Sequence, residues 1–301
     1  MTGHVIAVAN MKGGVGKTAT VVMLSHALAA DDAASSVVIV DVDAQASASF
    51  CTAGDLLHSQ LIEGGLTTDA FIEDLLVKRL DRALTSYVRP NVSAVMHNGT
   101  QLNISLIASS PALRGIERGL IHALTRSGYD MARIEAEMCT IMASHLAELR
   151  KRYAYILIDC APGISLMTEA AIRVADLVVV PTIPDYLSVL GLNAFRSSVW
   201  NDLVDADGKL PTPKRPPHVL ITRKKNVLTH QQTISALTTQ AQRRKPDFKL
   251  FRSMIPEAAL VPAALEQTAT NFPLFLRLWG NLVPELQSLV NEINSSLSRR
   301  P

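Results

Sequence analysis

Short apolar runs rich in β-branched residues alternate along the chain with longer stretches whose apolar positions recur at helical spacing. Residues 5–9 and 37–42 are almost wholly apolar and predict strands, with a helix over 17–30 between them. Residues 102–108, 154–159, 177–180 and 219–222 repeat the strand pattern. A strand that is apolar on both faces has no solvent side, so it belongs inside a sheet covered by helices on both faces. The expected fold class is therefore α/β, with a mostly parallel central sheet. Residues 210–217, LPTPKRPP, form the one proline-rich segment. Proline lacks the N–H a helix needs and biases its neighbour towards extended backbone, so this segment reads as a surface loop entering the next strand. Residues 1–301 are expected to form a single domain. The first strand starts so early that no N-terminal helix-turn-helix domain is expected. Residues 52–90 mix helix and loop signals and receive no assignment.

The chain has 301 residues, 48% hydrophobic and 19% charged, which suits a sizeable core and not a disordered chain. No apolar run approaches the ~18–20 residues of a membrane span. The start, MTGHVIAVAN, lacks the basic lead, apolar middle and cleavage site of a signal peptide. Cys51, Cys139 and Cys160 are odd in number and widely spaced, so they make no disulfide framework, CxxC pair or zinc pattern. They read as small packing residues in a reducing, cytoplasmic setting. The net charge of +2 hides a segregation. Residues 209–252 carry eleven Lys and Arg against the single acid Asp247, about +10, which leaves about −8 for the rest. Such a block is the footprint of a polyanion binder. With only Phe248 and Phe251 as aromatics, it suits phosphates of duplex DNA better than stacked single strands. The residues expected at DNA are Arg223, Lys224, Lys225, Arg243, Arg244, Lys245, Lys249 and Arg252. A solvated basic face is the competing reading.

The sharpest chemistry lies between the first strand and the first helix, at Asn10-Met11-Lys12-Gly13-Gly14-Val15-Gly16-Lys17-Thr18. Three glycines let backbone N–H groups turn inward and approach phosphate oxygens with no Cβ in the way. The helix opening near Lys17 adds its positive dipole end. Lys17 suits the β- and γ-phosphates, and the Thr18 hydroxyl suits Mg²⁺. The standard phosphate loop has glycine where Met11 stands, and here an extra lysine, Lys12, precedes the glycines. Asp41 and Asp43 share one face at the end of their strand. The run YILID ends at Asp159. Carboxylates at such strand ends hold Mg²⁺, its waters, or an attacking water.

These residues resemble the ParA/MinD family of deviant Walker A ATPases, in its partition (ParA) branch. KGGVGKT at 12–18 is similar to the deviant Walker A motif, with Lys12 in the place of the signature lysine. DVDAQ at 41–45 resembles DxDPQ with Ala44 for the proline, and IDCAPG at 158–163 resembles IDxPP with Ala161 for a proline. VVVPTIPDYLSVLGL at 178–192 is similar to IPxxPEYxALxGL, and IASSPAL at 107–113 to PSxxxL. Ile255-Pro256 and Phe272-Pro273 fall where that branch has IPxN and GxP, while Glu257 stands where a basic residue is usual.

The resemblance implies ATP and Mg²⁺ as cofactors. It implies ATP binding by Lys12, Gly13, Gly14, Val15, Gly16, Lys17, Thr18 and Ala19, and an adenine pocket lined by Thr222 and Pro256. It implies an ATP homodimer in which Lys12 crosses to the partner's phosphates. Lys12, Lys17 and Asp43 are then catalytic, with Asp43 positioning the attacking water, and Thr18, Asp41 and Asp159 surround the metal. Hydrolysis would be slow and stimulated by a ParB-like or cargo adaptor. The ATP form would bind nonspecific duplex DNA and associate with the nucleoid. The alternative is a MinD-type membrane-associated regulator, which needs a cationic amphipathic C-terminal helix. Here Val283, Leu286, Leu289, Val290, Ile293 and Leu297 recur at helical spacing with Glu285 and Glu292 among the polar positions, so a core-packed closing helix and no membrane are expected. An iron–sulfur relative would need a CxxC pair or bridging cysteines, and RKKN at 223–226 departs from the NKxD pattern of guanine binders.

Overall fold

The computed structural model describes residues 3–32, 34–80, 82–201, 210–267 and 273–298; residue 209 and Phe272 lie outside them. The strands are β1 (His4–Val8), β2 (Val37–Val42), β3 (Met96–His97), β4 (Thr100–Gln101), β5 (Ile104–Ile107), β6 (Tyr155–Cys160), β7 (Leu177–Thr182), β8 (His218–Lys224) and β9 (Lys249–Pro256). Seven of them form one sheet in the order β5-β2-β6-β1-β7-β8-β9, with every neighbouring pair parallel. β3 and β4 pair antiparallel as a separate hairpin. The helices are α1 (Lys17–Asp31), α2 (Ser47–Glu63), α3 (Thr68–Ile72), α4 (Leu113–Arg126), α5 (Met131–Leu149), α6 (Leu166–Val174), α7 (Tyr186–Phe195), α8 (Leu228–Ala241), α9 (Leu260–Gln267), α10 (Phe275–Trp279) and α11 (Val283–Ser298). The six predicted strands and the first helix are all present, with ends shifted by no more than two residues. The proline-rich segment enters β8, which pairs with β7 in the same sheet. Within residues 52–90, the described residues form the rest of α2, bent at Gly54 where φ is 71°, then α3 and short turns.

Period-two alternation explains the two cores. Val5, Ala7 and Ala9 point to a face covered by Leu113, Met138, Met142, Leu192, Phe195 and Leu237. Ile6 and Val8 point to the other, covered by α1 and α11 through Leu24, Leu28, Leu286, Val290 and Ile293. The apolar positions of α11 are all buried, so that helix closes the core as expected. Among the described residues, no helix is long and apolar enough to cross a membrane.

β9 is the strand of the seven-stranded sheet that the hydrophobic pattern misses, as it also misses the short hairpin β3–β4. It reads KLFRSMIP, with Lys249 and Arg252 exposed, because it is the edge of the sheet. It also bulges: Val219 pairs with Leu250 and Ile221 with Met254, so β9 carries two extra residues over that stretch. The amides this frees are taken by α11. Glu292 accepts from Arg252 N at 2.9 Å and from Ser253 N and Oγ at 2.8 and 2.7 Å, and Glu285 accepts from Met254 N. Glu292→Ala is expected to lower stability by about 2 kcal/mol, since it strands these donors. An unchanged urea midpoint in that variant would show that water replaces the carboxylate at no cost.

Candidate nucleotide site

β1 delivers its loop to the carboxyl end of the sheet, between β6 and β7, where ligands of open parallel sheets bind. Asn10 anchors the loop: its Nδ2 donates to Pro181 O at 2.7 Å and its Oδ1 accepts from Lys12 N at 3.0 Å. Gly14 and Gly16 take left-handed φ values of 75° and 93°, and α1 opens directly after. A Cβ placed on Gly13 or Gly14 would meet nothing within 4 Å. The hollow of the loop is therefore open, as a phosphate requires.

Lys17 lies beneath this hollow, 7% exposed, its Nζ donating to Lys12 O at 3.1 Å. Burial lowers its pKa, and the carboxylates of Asp159 and Asp43 oppose the shift. Thr18 Oγ1 donates to Asp159 Oδ2 at 2.8 Å. The second oxygen of Asp159 is buried with no hydrogen-bond partner. Burial first, and then the neighbouring Asp41, hold the Asp159 carboxyl well above its ordinary range. A threonine hydroxyl beside an orphaned carboxylate oxygen is a hard-oxygen donor set that fits Mg²⁺.

Asp41, expected near the metal, braces the chain in this structure. It is fully buried and uses both oxygens on the chain itself. Oδ1 accepts from Asp43 N at 3.0 Å, and Oδ2 accepts from Ser49 N and Oγ at 2.9 and 2.7 Å. Ser49 Oγ in turn accepts from Ser109 N at 2.8 Å, which ties β2, α2 and the loop after β5 together. The carboxylate of Asp43, half-buried, accepts only from Gln45 N at 2.9 Å among the described contacts, and its charge acts on Lys17 and Asp159 at the same centre.

Beside the loop, a cavity of about 720 Å³ lies between α1, the ends of β8 and β9, and α9. Ala19, Met23, Pro256, Val261 and Leu265 give it apolar walls. Thr222 lines it too, but its hydroxyl donates to Val15 O at 2.8 Å and so braces the loop. At the rim, Glu257 pairs with Arg223 and Lys225, each at 2.8 Å. Two of the cations expected at DNA are thus neutralised by the acid that replaces the usual basic residue.

Lys12 reaches sideways. Its Nζ donates to Ser188 Oγ at 2.9 Å and lies 3.7 Å from Asp185 Oδ1, at the start of α7. Asp185 also caps that helix, accepting from Ser188 N at 2.7 Å. A Cβ on Gly191 would stand 3.2 Å from Lys12 Cβ, so glycine permits the close approach. Sequence reasoning gave these α7 residues no role, although Asp185 followed three residues later by Ser188 is an N-cap pattern.

Of the other expected DNA residues, Lys224 is exposed at the carboxyl end of β8, while Arg243, Arg244 and Lys245 follow α8, and Lys249 and Arg252 sit on β9. The sequence block is therefore split between the two ends of the sheet.

A glycine loop joining a buried strand to a helix, above a threonine–aspartate pair at the carboxyl end of a parallel sheet, defines a P-loop nucleotide-binding protein. Residues 3–204 match the family described as AAA domain, and the chain belongs to that family. Its two loop lysines, Lys12 and Lys17, make it the deviant Walker A type, and the relatives it matches are of the ParA branch. Soj, the sporulation initiation inhibitor protein of Bacillus subtilis, is 29% identical over 197 residues, 65% of each chain. The chromosome partitioning protein ParA of Myxococcus xanthus is 28% identical over 202 residues, 67% of this chain and 59% of that one. The matches thus span less than two thirds of these relatives' lengths. Three solved structures share the fold. Apo McdA of Cyanothece has a TM-score of 0.67 at 19% identity, covering 98% of this chain and 99% of that one. A putative plasmid partition protein of Borrelia burgdorferi bound to AMPPNP scores 0.66 at 19%, covering 97% and 99%. ParA of pNOB8 bound to nonspecific DNA scores 0.62 at 17%, covering 97% and 99%.

Proposed function

We propose that this chain is an ATP-dependent dimerising switch ATPase that binds nonspecific DNA and partitions or positions DNA or another cargo. The observation that carries the reading is the pair of loop lysines around an open glycine hollow, with Thr18 and Asp159 coupled below it. Lys17 and the loop amides hold the phosphates, and the apolar cavity at Pro256 takes the base. Thr18 and Asp159 hold Mg²⁺, which supplies charge neutralisation at the β- and γ-phosphates when bound. Asp43 orients the attacking water. Lys12, leaving Ser188, neutralises the phosphates of a second copy, as an arginine finger does. Exposed Tyr186, Leu187 and Leu190 on α7, the helix that holds Lys12, support burial of this face in a homodimer. The AMPPNP and the nonspecific DNA carried by two of the fold neighbours support the ligand assignments. Dimer formation with triphosphate then couples nucleotide state to DNA and to an adaptor of ParB type, and places the ATP form on the nucleoid.

The test is mass in solution. With AMPPNP and Mg²⁺ the parent is expected to double its mass relative to ADP, and Lys12→Ala to stay single while still binding nucleotide. A parent that stays single with the analogue ends the switch reading.

A further inference from the structure

The cations of residues 209–252 have different fates. Lys214 Nζ donates to Asp176 Oδ1 at 2.6 Å, and Arg215 donates to Asp176 O and Leu297 O at 2.9 and 3.2 Å. Arg223 and Lys225 are held by Glu257. By contrast Lys224, and the group of Arg243, Arg244, Lys245, Lys249 and Arg252, are exposed and have no ion pair among the described residues. Because β8 and β9 are parallel, the turn entering β9 is at the end of the sheet remote from the nucleotide loop. At ~3.3 Å per residue the two ends of β8 are roughly 20 Å apart.

Beside this unpaired group runs a groove of about 400 Å³ between β9 and α11. Lys249 and Arg252 form its strand wall, Ser288, Asn291, Ser295 and Ser296 its helix wall, and Phe251 and His218 its floor. Glu292 also lines it, with both oxygens already accepting from Arg252 N, Ser253 N and Ser253 Oγ. Hydroxyl and amide donors facing two cations are the chemistry that grips sugar–phosphate backbone without reading bases.

We propose that duplex DNA docks on this sheet edge, its backbone along the β9–α11 groove and against Arg243–Lys245, and that Arg223 and Lys225, near the nucleotide loop, serve the cavity rim instead. The proposal rests on the DNA-binding reading above. It is tested by anisotropy of a labelled mixed-sequence duplex, titrated with protein held by AMPPNP and Mg²⁺ over a range of salt.

Lys249→Ala with Arg252→Ala is expected to weaken binding at least tenfold and to reduce the slope of log affinity against log salt by about two, at ~0.9 per phosphate contact. Ser295→Glu, a carboxylate added at an exposed helix position, is expected to weaken binding as well, and it guards against misfolding of the double variant. Lys225→Ala, which removes an ammonium that Glu257 already holds, is expected to leave the slope unchanged. The groove is ruled out if Lys249→Ala/Arg252→Ala and Ser295→Glu bind like the parent, or if the slope falls only in Lys224→Ala or Lys225→Ala. A parent that binds no duplex at low salt removes the DNA reading itself, and the groove with it.

Discussion

Lys17→Ala is expected to abolish ATP binding and hydrolysis, with affinity for a fluorescent ATP analogue falling by a factor on the order of 10²–10³. The ammonium is buried under the loop, so the dielectric around it is low and its attraction to phosphate is strong. Burial lowers its pKa, but Asp159 and Asp43 oppose the shift. Those carboxylates would face incoming phosphates unopposed once the lysine is gone. Lys17→Arg is not expected to rescue, because the space beneath the loop fits a slender chain whose tip already donates to Lys12 O. Lys12→Ala should differ in kind. Its side chain is one third exposed and rests on α7, so a single copy should still bind nucleotide without it. If titration showed equal losses in both variants, the division of labour between the lysines would be wrong.

How much of this was legible in the sequence follows from the range of the interactions involved. The nucleotide loop was readable because its chemistry is local: glycines, lysine and threonine act through backbone within a few residues of each other. The internal strands were readable because burial on both faces leaves no polar position. β9 was not, since an edge strand with a bulge alternates Lys249 and Arg252 with Phe251 and Ile255 and resembles a basic loop. The charge block is not one surface, for a topological reason. Residues 225 and 243 are joined by one helix, and that helix carries the chain from one end of the sheet to the other. The neutralising role of Glu257 depends on a contact across 34 residues. Asp41 and Asp43 share a face by period, but period does not reveal that Ser49, eight residues on, captures Asp41.

That last difference yields a separable pair of variants. Asp43→Ala is expected to keep the fold and nucleotide binding while hydrolysis falls by ~10²-fold or more, because the side chain is half-buried and accepts one local amide. Asp41→Ala should do the reverse, costing roughly 3 kcal/mol or more of stability, since the amides of Asp43 and Ser49 are left in the interior without an acceptor. The pH dependence gives the signature. Burial raises the Asp41 pKa to about 6 from 3.8, against the pull of its three hydrogen bonds. The folded state therefore holds this proton more tightly than the unfolded chain does. Its contribution to stability is full below about pH 4 and is lost as pH rises through about 6. Asp41→Asn cannot titrate, so the nucleotide-free variant should lose this part of the slope in urea midpoints between pH 4 and 6. Asp159, shifted in the same direction, supplies the slope that remains. A variant that kept the parent's full slope, or an Asp43→Ala protein as unstable as Asp41→Ala, would remove Asp41 as the brace.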